Sequence, residues 1–331
     1  MAKIRVAING FGRIGRTFFK TVWEHPQIEV VAINDLANGP TLAHLLKYDS
    51  IHGIFNANIT STDNSLVING KSIALFNEST LEGLKWPNAD VVVEATGKFK
   101  TKVELDAHLR AGAKRVILSV PPTDDAIPII VLGVNQDQVN DSHTIISNAS
   151  CTTNNAAPMV KLIDELCGID QAYITTVHSY TTDQSLHDQP HRDLRRARAA
   201  GQSIVPTTTG AAKALTKIFP ELGDAIGGCG IRVPVANGSL TDITFNVKKD
   251  ITIDQINQAF KAAASGKLAG ILAYTDEPIV SVDIIGNPHS CVFDSAMTSV
   301  IGRLVKIIGW YDNEVGYSNR LMDLILHICK K

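Results

Sequence analysis

No apolar run in this sequence comes near the roughly 18 residues that a membrane-crossing helix needs. The longest, at 127–134, is strand-sized. Cysteine is just as sparse: the five, at 151, 167, 229, 291 and 329, are odd in number, widely spread and without a CxxC pair. That excludes a disulfide framework and a zinc site, and points to a reducing cytosol. No charge of one sign dominates, and a formal net charge of −2 gives nucleic acid or an anionic membrane no general hold. Internal repeats and low-complexity tracts are absent, and the chain goes straight into a strand pattern with no signal peptide, so a cytoplasmic protein is expected. What is present is a 331-residue chain, 44% hydrophobic and 19% charged. That composition is globular and the length suits two domains.

The first half alternates strand and helix. Residues 3-KIRVAI-8 read as a buried strand, and 9-NGFGRIGRTFFKTVWEH-25 as a tight turn entering a helix. Gly10, Gly12 and Gly15 form a G-x-G-x-x-G in the context that motif requires. The first glycine permits the turn, the second lets backbone approach a pyrophosphate, and the third lets helix pack on strand. A second strand, 28-IEVVAIND-35, ends in an acid suited to the ribose 2′-OH of NAD and repulsive to the 2′-phosphate of NADP. A kinase reading of the glycines fails: 191-HRDL-194 imitates a catalytic loop, but Arg198 stands where its asparagine is required. Farther on, Asn69-Gly70 marks a hairpin and Thr101-x-x-Glu104 a capping box. Strands are expected at 90–97, 115–120 and 129–134. The pattern predicts a doubly wound, Rossmann-type parallel sheet with ligands at the carboxyl ends of its strands, of which Ser119 marks one.

At 145-IISNASCTTNNAAPMVKLIDEL-166 a β-branched run stops, and apolar residues resume at helical spacing. Cys151 therefore falls in the first turn of a helix. The N–H groups and dipole of that end would depress a thiol pKa and stabilise an oxyanion on an attacked carbonyl. A buried structural cysteine is the competing reading. Beyond it, 172-AYITTVH-178 is a strand delivering His178, and 179–206 is polar, arginine-rich and irregular, which marks function or an interface. Residues 207-TTTGAAKAL-215 read as a turn into a helix whose N-terminus suits an anion. Strands at 231–236, 241–249, 278–285 and 303–312, with helices near 253–264 and 316–329, make the second half an α+β unit with a mainly antiparallel sheet. No metal site is expected.

The blocks at 9–16, 147-SNASCTTN-154, His178, 207–213 and 310-WYDNEVGY-317 together resemble phosphorylating, NAD-dependent glyceraldehyde-3-phosphate dehydrogenases, in register over essentially the whole chain. The resemblance implies residues 1–150 as an NAD-binding domain, completed by a C-terminal helix at about 315–331, and 151–314 as the catalytic domain. It implies oxidation of D-glyceraldehyde 3-phosphate to 1,3-bisphosphoglycerate with inorganic phosphate, in glycolysis or gluconeogenesis. Cys151 is then the nucleophile and His178 the base. Gly10, Gly12, Arg13, Ile14, Gly15, Asp35, Ser119 and Asn313 match cofactor contacts, with Asn313 holding the nicotinamide amide. Ser150, Thr152, Thr209 and Gly210 resemble an inorganic-phosphate pocket, and Thr181, Arg196 and Arg232 ligands of the two phosphates. The 179–206 stretch resembles a loop packed beside a neighbouring subunit's cofactor in a homotetramer.

Three positions depart from the family. Asn155 stands where a second cysteine is usual, Ser79 where an arginine lies near the adenine, and Gln189 where a small or apolar residue is common. The alternatives are erythrose-4-phosphate dehydrogenase, which hydrolyses its acyl-enzyme, and a paralogue that binds NAD without turnover. The intact 207–213 turn argues against the first. A retained Cys–His pair argues against the second.

Overall fold

The computed structural model describes residues 2–330, and the chain divides into two compact units. Unit 1 comprises residues 1–130, 137–149 and 318–331; unit 2 comprises 131–136 and 150–317.

In unit 1 the elements run β1 (Ile4–Asn9), α1 (Arg13–Val22), β2 (Ile28–Asn34), α2 (Gly39–Lys47), the short pair β3 (Tyr48–Asp49) and β4 (Gly53–Ile54), β5 (Ile59–Thr62), β6 (Ser65–Ile68), β7 (Lys71–Phe76), β8 (Val91–Glu94), α3 (Lys102–Arg110), β9 (Arg115–Leu118) and β10 (Ile145–Ser147). The sheet order is β10-β9-β8-β1-β2-β7-β6-β5. It is parallel from β10 to β7, and only the β7–β6 and β6–β5 pairings are antiparallel. Every residue of β8, Val-Val-Val-Glu, is buried, as a parallel strand covered on both faces must be. The β6–β7 hairpin turns on Asn69 and Gly70, both at positive φ. Thr101 and Glu104 form the reciprocal cap of α3.

In unit 2 the chain continues through α4 (Cys151–Cys167), β11 (Ile169–Ser179), β12 (Val205–Thr207), α5 (Ala211–Ile218), β13 (Ile226–Val233), β14 (Ser239–Val247), α6 (Ile253–Ser265), β15 (Leu272–Thr275), β16 (Cys291–Asp294), β17 (Ser299–Ile301) and β18 (Leu304–Tyr311). The last helix, α7 (Val315–Ile328), starts in unit 2 and belongs to unit 1 from Ser318 onward. The sheet order is β12-β13-β11-β14-β18-β16-β15, with β17 on β18. It is antiparallel except at β11–β13 and β15–β16.

Two expected strands are corrected. Residues 129–134 contribute one isolated bridge, Ile129 to Ser147. Asn135 Oδ1 then accepts from Val131 N–H, and the N–H groups of Val134 and Asn135 both donate to Val131 O. Those bonds turn the chain just where it passes into unit 2. Residues 278–285 hold only a short helical turn, Ser281–Ile284, capped when Asp283 accepts from Val280 N–H. Val280 and Val282 are exposed, so their alternation had no face to bury.

The first glycine turn is set by crowding. Gly10 has φ +93° and donates to Asn34 O at 2.8 Å, at the carboxyl ends of β2 and β8. A Cβ on Gly15 would lie 2.1 Å from Gly10 O, so helix and turn meet backbone to backbone. Gly15→Ala is therefore expected to cost more than about 2 kcal/mol, read as a lower urea midpoint at unchanged slope. An unaltered midpoint would refute this packing.

Candidate active site

Unit 1 presents a dinucleotide cradle. Gly12 caps α1 without a side-chain bond, and a Cβ there would meet nothing within 4 Å. The turn at the helix N-terminus thus faces open space, and the dipole of that end suits a pyrophosphate. The Arg13 guanidinium is tied to Asp49 at 2.9 Å, so Arg13 and Ile14 offer the turn their backbone. Asp35 lies just beyond the end of β2. Its Oδ2 accepts from Phe11 N–H at 2.7 Å and its Oδ1 from Ala37 N–H at 2.9 Å. Each oxygen keeps a lone pair for a ribose hydroxyl. Ser119, just past β9, donates its N–H to Glu94 O. These residues fit NAD by the chemistry of their donors and by the space left for it.

Beneath the turn lies a buried network that sequence reasoning missed. Glu94 Oε2 accepts from Asn9 Nδ2 at 2.6 Å and from His108 Nε2 at 3.0 Å. Trp86 donates its indole N–H to His108 Nδ1 at 3.1 Å, which fixes the proton of a neutral ring on Nε2. Glu94 Oε1 takes the N–H and hydroxyl of Thr96, and Asn34 donates to Asn9 Oδ1 at 2.8 Å. Its bonds join residues up to 85 apart in sequence, and no motif announces them.

In unit 2, Ser150 caps α4 by accepting from Thr153 N–H, so Cys151 is the first helical residue. Its sulfur lies 3.4 Å from His178 Nε2. His178, near the end of β11, is paired with Arg232 on β13, and Arg232 Nη1 lies 2.6 Å from His178 Nδ1 and 2.9 Å from Ser179 O. His178 Nδ1 is also 2.7 Å from Ser179 O. Burial pushes the Cys151 thiol pKa up, against the opposing charge of Arg232 and the N–H and hydroxyl of Thr152. The depressed thiol expected from the helix end is thus countered by desolvation. Burial, then the Arg232 charge, holds His178 down to about 3, so the resting imidazole is neutral. Burial lowers Arg232 itself.

Thr152 is buried, with its hydroxyl 2.9 Å from Tyr311 OH, which in turn lies 3.0 Å from Thr176 Oγ1. Arg196 donates to Thr207 Oγ1 at 2.9 Å and pairs with Asp183 and Asp193. The 207–210 turn is thereby joined to the arginine-rich stretch. Thr209 Oγ1 accepts from Ala211 N–H, and Gly210 opens α5 with no side-chain cap. Thr181 lies two residues past β11, where its N–H donates to Gln184. Asn313 is bonded to Ser179 and Ser239. Those two serines, Thr176 and Tyr311 were not singled out from sequence; only Tyr311 had a signal, in the 310–317 block. Of the departures, Ser79 and Gln189 are exposed. Asn155 is buried and donates to the carbonyls of Ser290 and Trp310.

Two family models match this chain. One, the NAD binding domain of glyceraldehyde 3-phosphate dehydrogenase, covers residues 4–102; the other, the C-terminal domain of the same enzyme, covers 150–313. Among similar proteins, glyceraldehyde-3-phosphate dehydrogenase 2 of Streptomyces avermitilis is 52% identical, over 98% of both chains. The glyceraldehyde-3-phosphate dehydrogenase of Geobacillus stearothermophilus is 51% identical over 99% of both. That of Thermotoga maritima is 52% identical, covering 97% of this chain and 98% of its own.

The Arg232 charge favours thiolate over thiol and disfavours imidazolium. In Arg232→Met, the pH midpoint for iodoacetamide labelling of Cys151 is expected to rise by about one unit. A midpoint that stays or falls would contradict this electrostatic role.

Proposed function

The chain belongs to the glyceraldehyde 3-phosphate dehydrogenase family, and we propose that it oxidises D-glyceraldehyde 3-phosphate to 1,3-bisphosphoglycerate with NAD and inorganic phosphate. The observation that carries this reading is the Cys151 sulfur at a helix N-terminus, 3.4 Å from His178 Nε2.

The thiolate adds to the aldehyde carbon, forming a C–S bond. The carbonyl pair becomes an oxyanion that the first N–H groups of α4 can hold by hydrogen bonds, and a proton from solvent turns it into the hemithioacetal hydroxyl. When bound, NAD supplies the acceptor for the hydride that leaves this carbon. His178 Nε2 takes the hemithioacetal hydroxyl proton, and the carbonyl re-forms as a thioester on Cys151. For Nε2 to accept, Nδ1 must carry the ring proton and donate it to Ser179 O, 2.7 Å away. Arg232 then also donates to that oxygen. Phosphate next adds to the thioester carbon, and the C–S electron pair returns to sulfur, which releases the acyl phosphate.

Two anions must be held. Arg232, Thr181 and Arg196 carry the charge and donors for the phosphates, with Ser150, Thr152, Thr209 and Gly210 lining the pocket of the attacking phosphate. Residues 1–150, with 315–331, form the NAD-binding half, through Gly10, Gly12, Arg13, Ile14, Gly15, Asp35 and Ser119. Residues 151–314 form the catalytic half and contribute Asn313 to the nicotinamide. The protein works in the cytoplasm as a homotetramer. Leu186, Leu194 and Ile204 support the assembly: all three are strongly exposed on the 179–206 stretch, as an interface segment would be.

The test is NADH formation from glyceraldehyde 3-phosphate with and without phosphate or arsenate, repeated with NADP and with erythrose 4-phosphate. Multiple turnovers that require both phosphate and NAD are expected. Cys151→Ser should lower kcat by roughly a thousandfold or more. Phosphate-independent turnover or a preference for erythrose 4-phosphate would indicate the hydrolysing relative; bound NAD without turnover would indicate a binding protein.

A further inference from the structure

Asn313 lies in the turn between β18 and α7, and the bonds of its side chain are unevenly shared. Its Oδ1 accepts from Ser179 Oγ at 2.8 Å and from Ser239 Oγ at 2.9 Å. Its Nδ2 has no acceptor among the described residues and is not sealed from solvent.

The serines favour one orientation of the amide. Ser179 is fully buried and Ser239 nearly so. Ser239 Oγ already accepts from Ser179 N–H at 3.1 Å. Asn313 Oδ1 accepts from both hydroxyls, and the other acceptor within reach of Ser239 Oγ is Ser179 Oγ at the long distance of 3.5 Å. Turning the amide over would set Nδ2 against two hydroxyls, leave Ser239 that one long bond and strand the Ser179 hydrogen, at the cost of a buried unpaired donor.

The frame around the amide is rigid. Asp312 Oδ1 accepts from the N–H groups of Glu314 and Val315, and Oδ2 from Gly286 N–H. On the other side, Gly238, just before Ser239, has φ +86° and is packed so that a Cβ would lie 2.1 Å from Ser281 O.

We propose that Ser179 and Ser239 are positioning residues for hydride transfer, fixing the Asn313 amide so that only its N–H₂ edge is offered to the carboxamide oxygen of a nicotinamide. This rests on the reading that Asn313 holds that group. Ser179 then serves twice: its carbonyl orients the His178 imidazole, and its hydroxyl orients the clamp on the ring that takes the hydride.

The experiment compares wild type, Ser179→Ala, Ser239→Ala, both together, Ser239→Thr and Asn313→Ala. It measures kcat, KM for NAD and the rate of Cys151 alkylation without NAD. Each alanine variant should raise KM for NAD about threefold to tenfold, and the double variant more, with kcat reduced. Alkylation should stay at the wild-type rate, which a general loss of structure would not allow. Ser239→Thr, which keeps the hydroxyl, should restore most of the affinity. In an Asn313→Ala background the serine changes should add nothing further. Serine variants within twofold of wild type, or effects that add fully to Asn313→Ala, would overturn the proposal. An Asn313→Ala variant with unchanged KM would instead overturn the underlying reading of Asn313, and the proposal with it. If the double variant fails to fold, the two single variants still decide the matter.

Discussion

A half-buried cation with no carboxylate at ion-pair distance is the constraint on which the catalytic unit depends. Among the described residues no carboxylate lies within ion-pair distance of Arg232; it lies beside a neutral imidazole and donates to a backbone carbonyl. A half-buried guanidinium with no carboxylate at ion-pair distance favours negative charge beside it, so the site is built to welcome an anion. A thiolate on Cys151 and a phosphate on the substrate are both such charges. Burial, with help from the same guanidinium, keeps His178 neutral at rest, ready to accept a proton. One side chain thus favours the ionised nucleophile and the un-ionised base.

The 310–317 block gains a physical reading from its partners. Trp310 donates to Asp294, Tyr311 links the hydroxyls of Thr152 and Thr176, Asp312 caps the turn, and Asn313 is gripped by two serines. Together these four residues anchor the strand end to α4, β11, β14 and β16. The start of the block is therefore a junction.

What was legible in the sequence was local. The glycine turn, the capping box at Thr101, the Asn69-Gly70 hairpin and the placement of Cys151 at the start of a helix each rest on residues within a few positions of one another. The Glu94–His108–Trp86 network and the Ser179–Ser239–Asn313 cluster were not legible. Their members meet only after sheet pairing, and serine or glutamate alone carries no signal of a distant partner. The two misread strands failed for the converse reason. Residues 129–134 and 278–285 have strand-like composition, but side-chain bonds from Asn135 and Asp283 turn the backbone before a ladder forms. The thiol's acidity was misjudged because a helix end is visible in sequence and desolvation is not.

Unit 1 is discontinuous, closing with residues 318–331 although its last strand ends at Ser147. On the ribosome, this unit waits for a segment made about 180 residues later, roughly ten to forty seconds at common elongation rates. Unit 2, nearly contiguous, has its whole sequence in hand first. Ordinary N-to-C folding order is thereby reversed in completion. The half that carries the reactive thiol can finish before the half that cradles the dinucleotide, and no single cut of the chain yields both units whole.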